Sequence, residues 1–220
     1  MTLFMDLGET LLAMDRKRLS RADSRERTAQ RLMDAAEQHI AAHGLDGTSV
    51  EVIAEEAGYS RGAFYSNFRS KEDLFLQVLR RDQERTNQRF ANVLDEALPV
   101  EQARARVRDL YAALYRDAAS FMIWTEARML SARDIAFREK LAALIAERRD
   151  FVVKLIDWLY RLAGAEPAVP VQALAMGLIS LMEGVSFFVA SCPEEMPAVV
   201  AEAILKVFVD AVMVAPEPSS

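Results

Sequence analysis

Apolar residues recur at three- and four-residue intervals along almost the whole chain, and no stretch shows the sustained alternation of a half-buried strand. Leu32, Ala36 and Ile40 form the first stripe, and Gly44 supplies its stop. Thr48, three residues before Glu51, is predicted as the capping box of a second helix through Val50, Ile53 and Ala54 that ends at Gly58. Ser60 is predicted to cap a third helix of about two turns, with Tyr59 placed to staple onto Phe64. Ser70 and Asp73 repeat the box and open a fourth helix that runs to about Leu98, before Pro99. Tyr59, Phe64, Phe68 and Leu74 fall at helical spacing and are assigned to the core.

Beyond Pro99 a stripe of Val107, Leu110, Tyr111 and Leu114 marks a fifth helix, Phe121 to Leu130 a sixth, and Leu141 to Leu159 a seventh ending near Gly164. Pro167 and Pro170 mark a connection. The last two helices, about Val171 to Ser191 and Pro197 to Val214, are apolar on more than one face, so each needs more than one packing neighbour. The fold class is therefore all-α, with about nine helices.

Composition fits this picture: 52% of the 220 residues are hydrophobic and 27% charged, with 8 glycines and 7 prolines, as in ordinary globular proteins. Cys192 is the single cysteine, so no intrachain disulfide forms and a reducing, cytoplasmic location is expected. The opening fifteen residues hold acids and no basic segment, unlike a secretory signal. The apolar tract from Val171 to Cys192 carries Glu183, which would cost roughly 2.5–3.5 kcal/mol at mid-bilayer, so a buried helix and no membrane partner are expected.

The net charge of -6 conceals segregation. Between Arg16 and Arg31 seven bases face two acids, whereas from Pro170 onward six acids face Lys206 alone. The basic end suits a polyanion. A helix, a short helix, a tight turn holding Gly58 and another short helix make a helix-turn-helix, whose last helix enters the DNA major groove. Gly62 and Ala63 permit close approach to the duplex. Arg61 offers a fork to guanine or phosphate, Ser66 and Asn67 are short polar groups for bases or backbone, and Tyr65 and Lys71 suit phosphates. Arg25 and Arg27, with Arg31, are arm residues placed to contribute; a solvated charge run is the plainer alternative.

The segment GTSVEVIAEEAGYSRGAFYSNFRSKEDLF, Gly47 to Phe75, closely resembles the DNA-binding signature of the TetR family of transcriptional regulators. The resemblance implies an all-helical homodimer with an N-terminal DNA-binding domain and a variable C-terminal domain for effector binding and dimerisation. By position, it places Thr48, Tyr65 and Lys71 on phosphates and Arg61, Gly62, Ala63, Ser66 and Asn67 toward the groove. The expected organisation is an N-terminal extension at 1–23, a DNA-binding domain at 24–70, an effector and dimerisation domain at 71–214 and a tail at 215–220. The expected partners are a palindromic double-stranded operator, a second copy of the chain and a small-molecule effector.

For the subunit interface, Ala175, Leu178, Leu181, Val185 and Phe188 in the eighth helix and Ile204 and Phe208 in the ninth are the candidates; closing a single-chain core is the alternative use. For the effector, Tyr111, Tyr115, Phe121 and Trp124 are candidate cavity residues, with Thr125 and Met129 from the same sixth helix. Phe151, Trp158 and Met176 complete the set, although aromatic and methionine stripes are ordinarily core. Glu183 must find a partner inside an apolar helix, either a ligand or an arginine. The polar middle of the fourth helix, Arg80 to Arg89, suits a lever between domains.

His39 and His43 stand at a metal-compatible spacing without a third ligand nearby. No phosphate loop, nucleophile elbow or cofactor motif occurs, so neither an enzyme nor a cofactor is expected. Two other readings remain: a ligand-binding helical protein without specific DNA binding, and a redox-responsive regulator using Cys192.

Overall fold

A computed structural model describes residues 21–94 and 98–213, and every regular element among them is a helix. In chain order these are α1 (Arg21–His43), α2 (Val50–Glu56), α3 (Arg61–Asn67), α4 (Lys71–Leu94), α5 (Val100–Leu114), α6 (Ala118–Arg133), α7 (Ile135–Ala163), α8 (Val171–Ser191) and α9 (Ala198–Met213). Arg16, Lys17 and Arg18 of the basic run, and the tail from 214 onward, lie outside the described residues.

Local chemistry accounts for the boundaries. Gly44 and Gly58 take φ of 72° and 76°, the left-handed region that lets α1 and α2 stop sharply. Ser60 caps α3 by accepting from the Ala63 amide at 3.3 Å. Ser70 accepts from Asp73 N at 3.1 Å, and the Asp73 carboxylate reaches back to Arg69 N at 2.9 Å, tying down the start of α4. Asp134 ends α6 and caps α7 through Phe137 N at 3.0 Å, so the two helices meet without a loop.

One predicted cap is displaced. Ser49, not Thr48, caps α2, accepting from Val52 N at 3.2 Å with an extended backbone. Thr48 is 1% exposed and its hydroxyl donates to Gly44 O at 2.7 Å, closing the α1–α2 turn. Two adjacent hydroxyl residues compete for the cap, and burial of the threonine methyl decides between them.

Two apolar clusters share α4 and α7. The first joins α1–α3 and the start of α4, around the fully buried Leu32, Ile53, Phe64 and Phe75, to Ile123 and Ala127 of α6 and Phe137 and Leu141 of α7. The second joins Phe90 and Val93 to α5, the second half of α7, α8 and α9. Helix α4, about 36 Å long at 1.5 Å per residue, therefore has one end in each cluster. Between the clusters, Arg81 pairs with Asp34 at 2.7 Å and Glu37 at 2.6 Å, and Arg85 takes the other Glu37 oxygen at 2.6 Å. These pairs bind the middle of α4 to α1.

Helix α8 corrects part of the expected subunit interface. Ala175 and Leu178 are 0% exposed and Val185 3%, so they close the chain's own core against its neighbouring helices. Val209 is likewise inward. Leu181, Ile204 and Phe208 are partly buried against the same cluster. A side chain on Gly177 would meet the Phe208 ring at 3.4 Å, an ordinary contact, which places Phe208 close against α8. Phe188 remains half exposed, together with Phe187, Met176, Val199, Val200 and Val207.

Candidate functional site

Helix α3 projects its polar side outward while Phe64 anchors the other side in the core. Arg61, Gly62, Tyr65 and Ser66 are exposed, and Ala63 and Asn67 are partly so. A side chain at Gly62 would meet nothing in the chain closer than Ser60 Oγ at 3.6 Å, so the vacancy there opens outward. Arg61 lies 3.0 Å from Glu51 and stacks over the Tyr65 ring at 5.5 Å, which holds the guanidinium on this outer surface. Both contacts favour its charged form, the bond to Tyr65 foremost. Ser66 Oγ donates to Gly62 O at 2.9 Å and Asn67 Nδ2 to Ala63 O at 2.8 Å, leaving the serine hydroxyl oxygen and the amide oxygen as acceptors.

The flanking candidates differ from expectation. Thr48 is internal, so its side chain is removed from the set that faces a phosphate. Lys71 donates to Leu45 O at 2.6 Å and Thr48 O at 2.9 Å, so two of its three N–H groups already bind the α1–α2 turn. Arg25 donates to Ser66 O at 3.1 Å and fixes the last turn of α3 against α1. Arg27 is exposed. His39 pairs with Glu56 and stacks on His43 at 5.4 Å, which links α1 to α2; no cluster of three or more metal-ligating side chains occurs among the described residues. Cys192 is exposed at the end of α8.

A second site is internal. A cavity of about 80 Å³ lies between α4, α5, α6, α7 and α8. Of the sequence candidates, Tyr111, Phe121, Trp124, Phe151 and Glu183 line it. Tyr115, Thr125, Met129, Trp158 and Met176 do not. On α6 the lining positions are 120, 121, 124 and 128, and Thr125 and Met129 sit about 100° further round the helix than 124 and 128. Met129 and Met176 are 49% and 39% exposed. Tyr115 is buried elsewhere, its hydroxyl donating to Glu202 at 3.3 Å. Trp158 packs on the second cluster two turns beyond Phe151.

Apart from Glu183, the cavity's charged and polar lining was not foreseen from the sequence. Asp82, Gln83, Thr86 and Asn87 enter from α4, Arg128 from α6 and Arg148 from α7. Asp82 Oδ2 accepts from Trp124 Nε1 and Ser120 Oγ, both at 2.8 Å, and Oδ1 accepts from Arg85 at 3.2 Å. Glu183 pairs with Arg128, and its nearer oxygen is 3.8 Å from Arg148. The carboxylate thus has its arginine, and it is only partly buried, with 35% of its side chain exposed. Arg148 and Arg128 both approach the Trp124 ring, at 5.3 and 5.9 Å. Burial lowers the Arg148 pKa, the neighbouring Arg128 lowers it further, and Glu183 works against both. Burial likewise raises the Tyr111 phenol. An i, i+4 polar pair, Asp82 and Thr86, one turn before Phe90 was the available signal on α4; partners 42 to 55 positions away leave no local pattern.

Interface and cavity are mechanically joined. Glu126, between Trp124 and Arg128 on α6, accepts from Leu45 N at 3.1 Å, and Leu45 O receives the Lys71 ammonium.

Comparison with known proteins gives this arrangement a context. Residues 32–78 match the family model for bacterial regulatory proteins of the tetR family, and residues 99–214 match that for the BetI-type transcriptional repressor C-terminal region. The HTH-type transcriptional repressor AcnR of Corynebacterium glutamicum is 36% identical over 80 residues, covering 36% of this chain and 40% of AcnR. The chain thus spans about two fifths of the length of that curated relative. FadR from Bacillus subtilis in complex with stearoyl-CoA superposes with a TM-score of 0.68 at 17% identity, covering 82% of this chain and 97% of FadR. A Saccharomonospora viridis structure in complex with choline gives 0.70 at 19% identity, covering 86% and 98%. These structural likenesses establish a shared fold. With the C-terminal model spanning more than half of its length and the N-terminal one falling on the helix-turn-helix, the chain belongs to the tetR family of bacterial regulatory proteins.

Proposed function

We propose that the chain is a sequence-specific, ligand-responsive transcriptional repressor that binds a palindromic operator as a homodimer. The observation that carries this reading is the outer face of α3. Arg61, Tyr65, Ser66 and Asn67 surround the open space at Gly62, while Phe64 holds the helix rigidly to α1 and α2. In this reading residues 24–70 carry the DNA-binding domain and 71–214 the effector and dimerisation domain. Arg61 and Asn67 discriminate bases, Tyr65 positions phosphate, and Arg27 contacts phosphate from the start of α1.

The exposed apolar side chains Phe187 and Phe188 on α8 and Val199, Val200 and Val207 on α9 support a subunit contact. A dimer also supplies the two-fold symmetry that a palindrome requires. Helix α8 is long and apolar enough to cross a membrane by length and composition. Its packing on α7 and the pairing of Glu183 with Arg128 favour a helix shared between core and subunit interface, in a cytoplasmic protein without enzymatic activity. The effector occupies the cavity and biases two spacings of the paired α3 helices.

Selection from random duplex DNA at two salt concentrations tests the reading. A near-palindromic motif with half-sites about one DNA turn apart supports it. Sequence-blind, salt-sensitive binding alone would sink it.

A further inference from the structure

We propose that the cavity takes an organic monocarboxylate with a compact apolar body, an aryl or short branched acid, whose carboxylate docks on Arg148 and Arg128 in place of Glu183. The inference rests on the cavity being the effector site.

It starts from charge. Asp82 is committed, with both oxygens holding three donors. That leaves Glu183 as the one other carboxylate on the cavity wall against two guanidinium groups. Glu183 satisfies Arg128 directly. Arg148 makes no side-chain hydrogen bond among the described residues, and its closest carboxylate oxygen, at 3.8 Å, is beyond hydrogen-bond reach. Its side chain is 24% exposed. A guanidinium held in that setting with unused N–H groups is matched by a planar, bidentate anion.

The same geometry disfavours a cation. An aromatic-lined pocket with carboxylates would suit a quaternary ammonium group, as in the neighbour bound to choline. Here the Trp124 face is already approached by two arginines. Phe90 is packed on Tyr111 at 4.9 Å and Phe151 at 6.3 Å, so these rings form wall and not an open cage. A ligand ammonium would join two resident positive charges.

Volume sets the body. About 80 Å³ holds roughly five to eight water positions at 10–15 Å³ each. A phenyl ring or a branched four- or five-carbon chain fits that scale, against Phe121, Phe151, Ile179 and Met182. A long acyl chain of the kind bound by B. subtilis FadR does not fit unless the helices part.

The test measures thermal stabilisation and calorimetric binding with phenylacetate and isovalerate, against phenylacetamide, phenethylamine, choline and inorganic phosphate, each to about 10 mM, a range that captures millimolar affinities. Both carboxylates are expected to bind, and phenylacetamide at least tenfold more weakly. Arg148→Gln should lose tenfold or more of the carboxylate affinity. Glu183→Gln, which removes the internal competitor, should tighten binding roughly three- to tenfold; a purely structural Glu183 would give the reverse. Stabilisation by choline or phenethylamine alone, by phosphate as well as by the carboxylates, or by none of the panel overturns the proposal. Release of the selected DNA is followed in parallel. Release by an amine but not by the carboxylates leaves the regulator standing and removes the anion site. Carboxylate binding without release supports the site and removes the ligand-responsive reading.

Discussion

Replacing Asp82 by alanine should be among the most damaging single changes in the chain, because this carboxylate is the polar joint between α4 and α6. It is 6% exposed and accepts from Trp124 Nε1 and Ser120 Oγ at 2.8 Å each, and from Arg85 at 3.2 Å. Arg85 keeps Glu37 at 2.6 Å, so its loss is small. The indole N–H of a tryptophan only 6% exposed is left unsatisfied, which costs about 1.5–3 kcal/mol for a bond to a charged acceptor, and the serine adds about 0.5–1 kcal/mol. The total is about 2–4 kcal/mol, a fall of roughly 1–2 M in urea midpoint at a slope near 2 kcal/mol per M. Asp82→Asn keeps one oxygen acceptor and should lose about half as much. Urea titration at fixed protein concentration, in a Trp158→Phe background that makes Trp124 the sole indole, reads both stability and the local environment. A midpoint within about 0.3 M of the parent, below about 0.6 kcal/mol at that slope, with unaltered Trp124 emission, would refute the joint.

Three further changes test separate steps. Thr48→Val removes the buried hydroxyl bond to Gly44 and should cost about 1 kcal/mol of stability while Thr48→Ser costs less; lost DNA affinity with unchanged stability would instead place Thr48 on a phosphate. Gly164→Ala imposes a β-carbon on the φ +63° residue that ends α7 and should cost about 1–2 kcal/mol by thermal unfolding, although no neighbour lies within 4 Å of the new methyl. Burial alone would raise the Asp210 pKa, but hydrogen bonds from Lys206 and Arg108, with their charges, hold it below the ordinary 3.8. A depressed folded value gives stability that is present above the unfolded pKa and lost as pH falls through the folded one. Stability curves of the parent and Asp210→Asn should therefore differ at pH 6 and converge below pH 3.8, and parallel curves would remove this contribution.

Most helices were legible because each buries one stripe at a 3.6-residue period, and several ends carry the expected residue: Gly44, Gly58, Ser60, Ser70 and Gly164. What the period cannot supply is a choice among equivalents. Thr48 and Ser49 are both competent caps, and burial of Thr48 settles the matter. In α8 nearly every position is apolar, so sequence offers no face, and Ala175, Leu178 and Val185 proved to be inward while Phe187 and Phe188 stayed out. Five of the ten cavity candidates line the cavity: Tyr111, Phe121, Trp124 and Phe151 because aromatic groups on α5, α6 and α7 are conspicuous, and Glu183 because a carboxylate stands out in an apolar helix. The rest of the charged lining was missed because Asp82, Arg128 and Arg148 lie on three separate helices, apart from Glu183 on a fourth, and nothing in the spacing of one predicts the others.

These charges also bound how strongly an effector can act. Trp124, Glu126 and Arg128 lie within 6 Å along one helix axis at 1.5 Å per residue. Trp124 is held by α4, Arg128 by α8, and Glu126 holds the turn leading into α2 and α3. On the proposed mechanism, an anion that takes Arg128 from Glu183 would release α6 from α8 while its grip on the turn persists, so that a shift of α6 would reach the recognition helix. A ligand shifts an equilibrium only by its differential affinity for the two states. One exchanged ion pair gives on the order of tenfold preference, about 1.4 kcal/mol, whereas moving a population from 1:99 to 99:1 needs about 10⁴-fold. Two sites in a concerted dimer multiply to about a hundredfold, enough to move a population from about 90% to about 8% competent, which empties an operator without requiring a large rearrangement in either subunit. In the proposed dimer the second subunit would therefore serve the response as well as the palindrome, and a single chain with the same cavity would be only a partial switch.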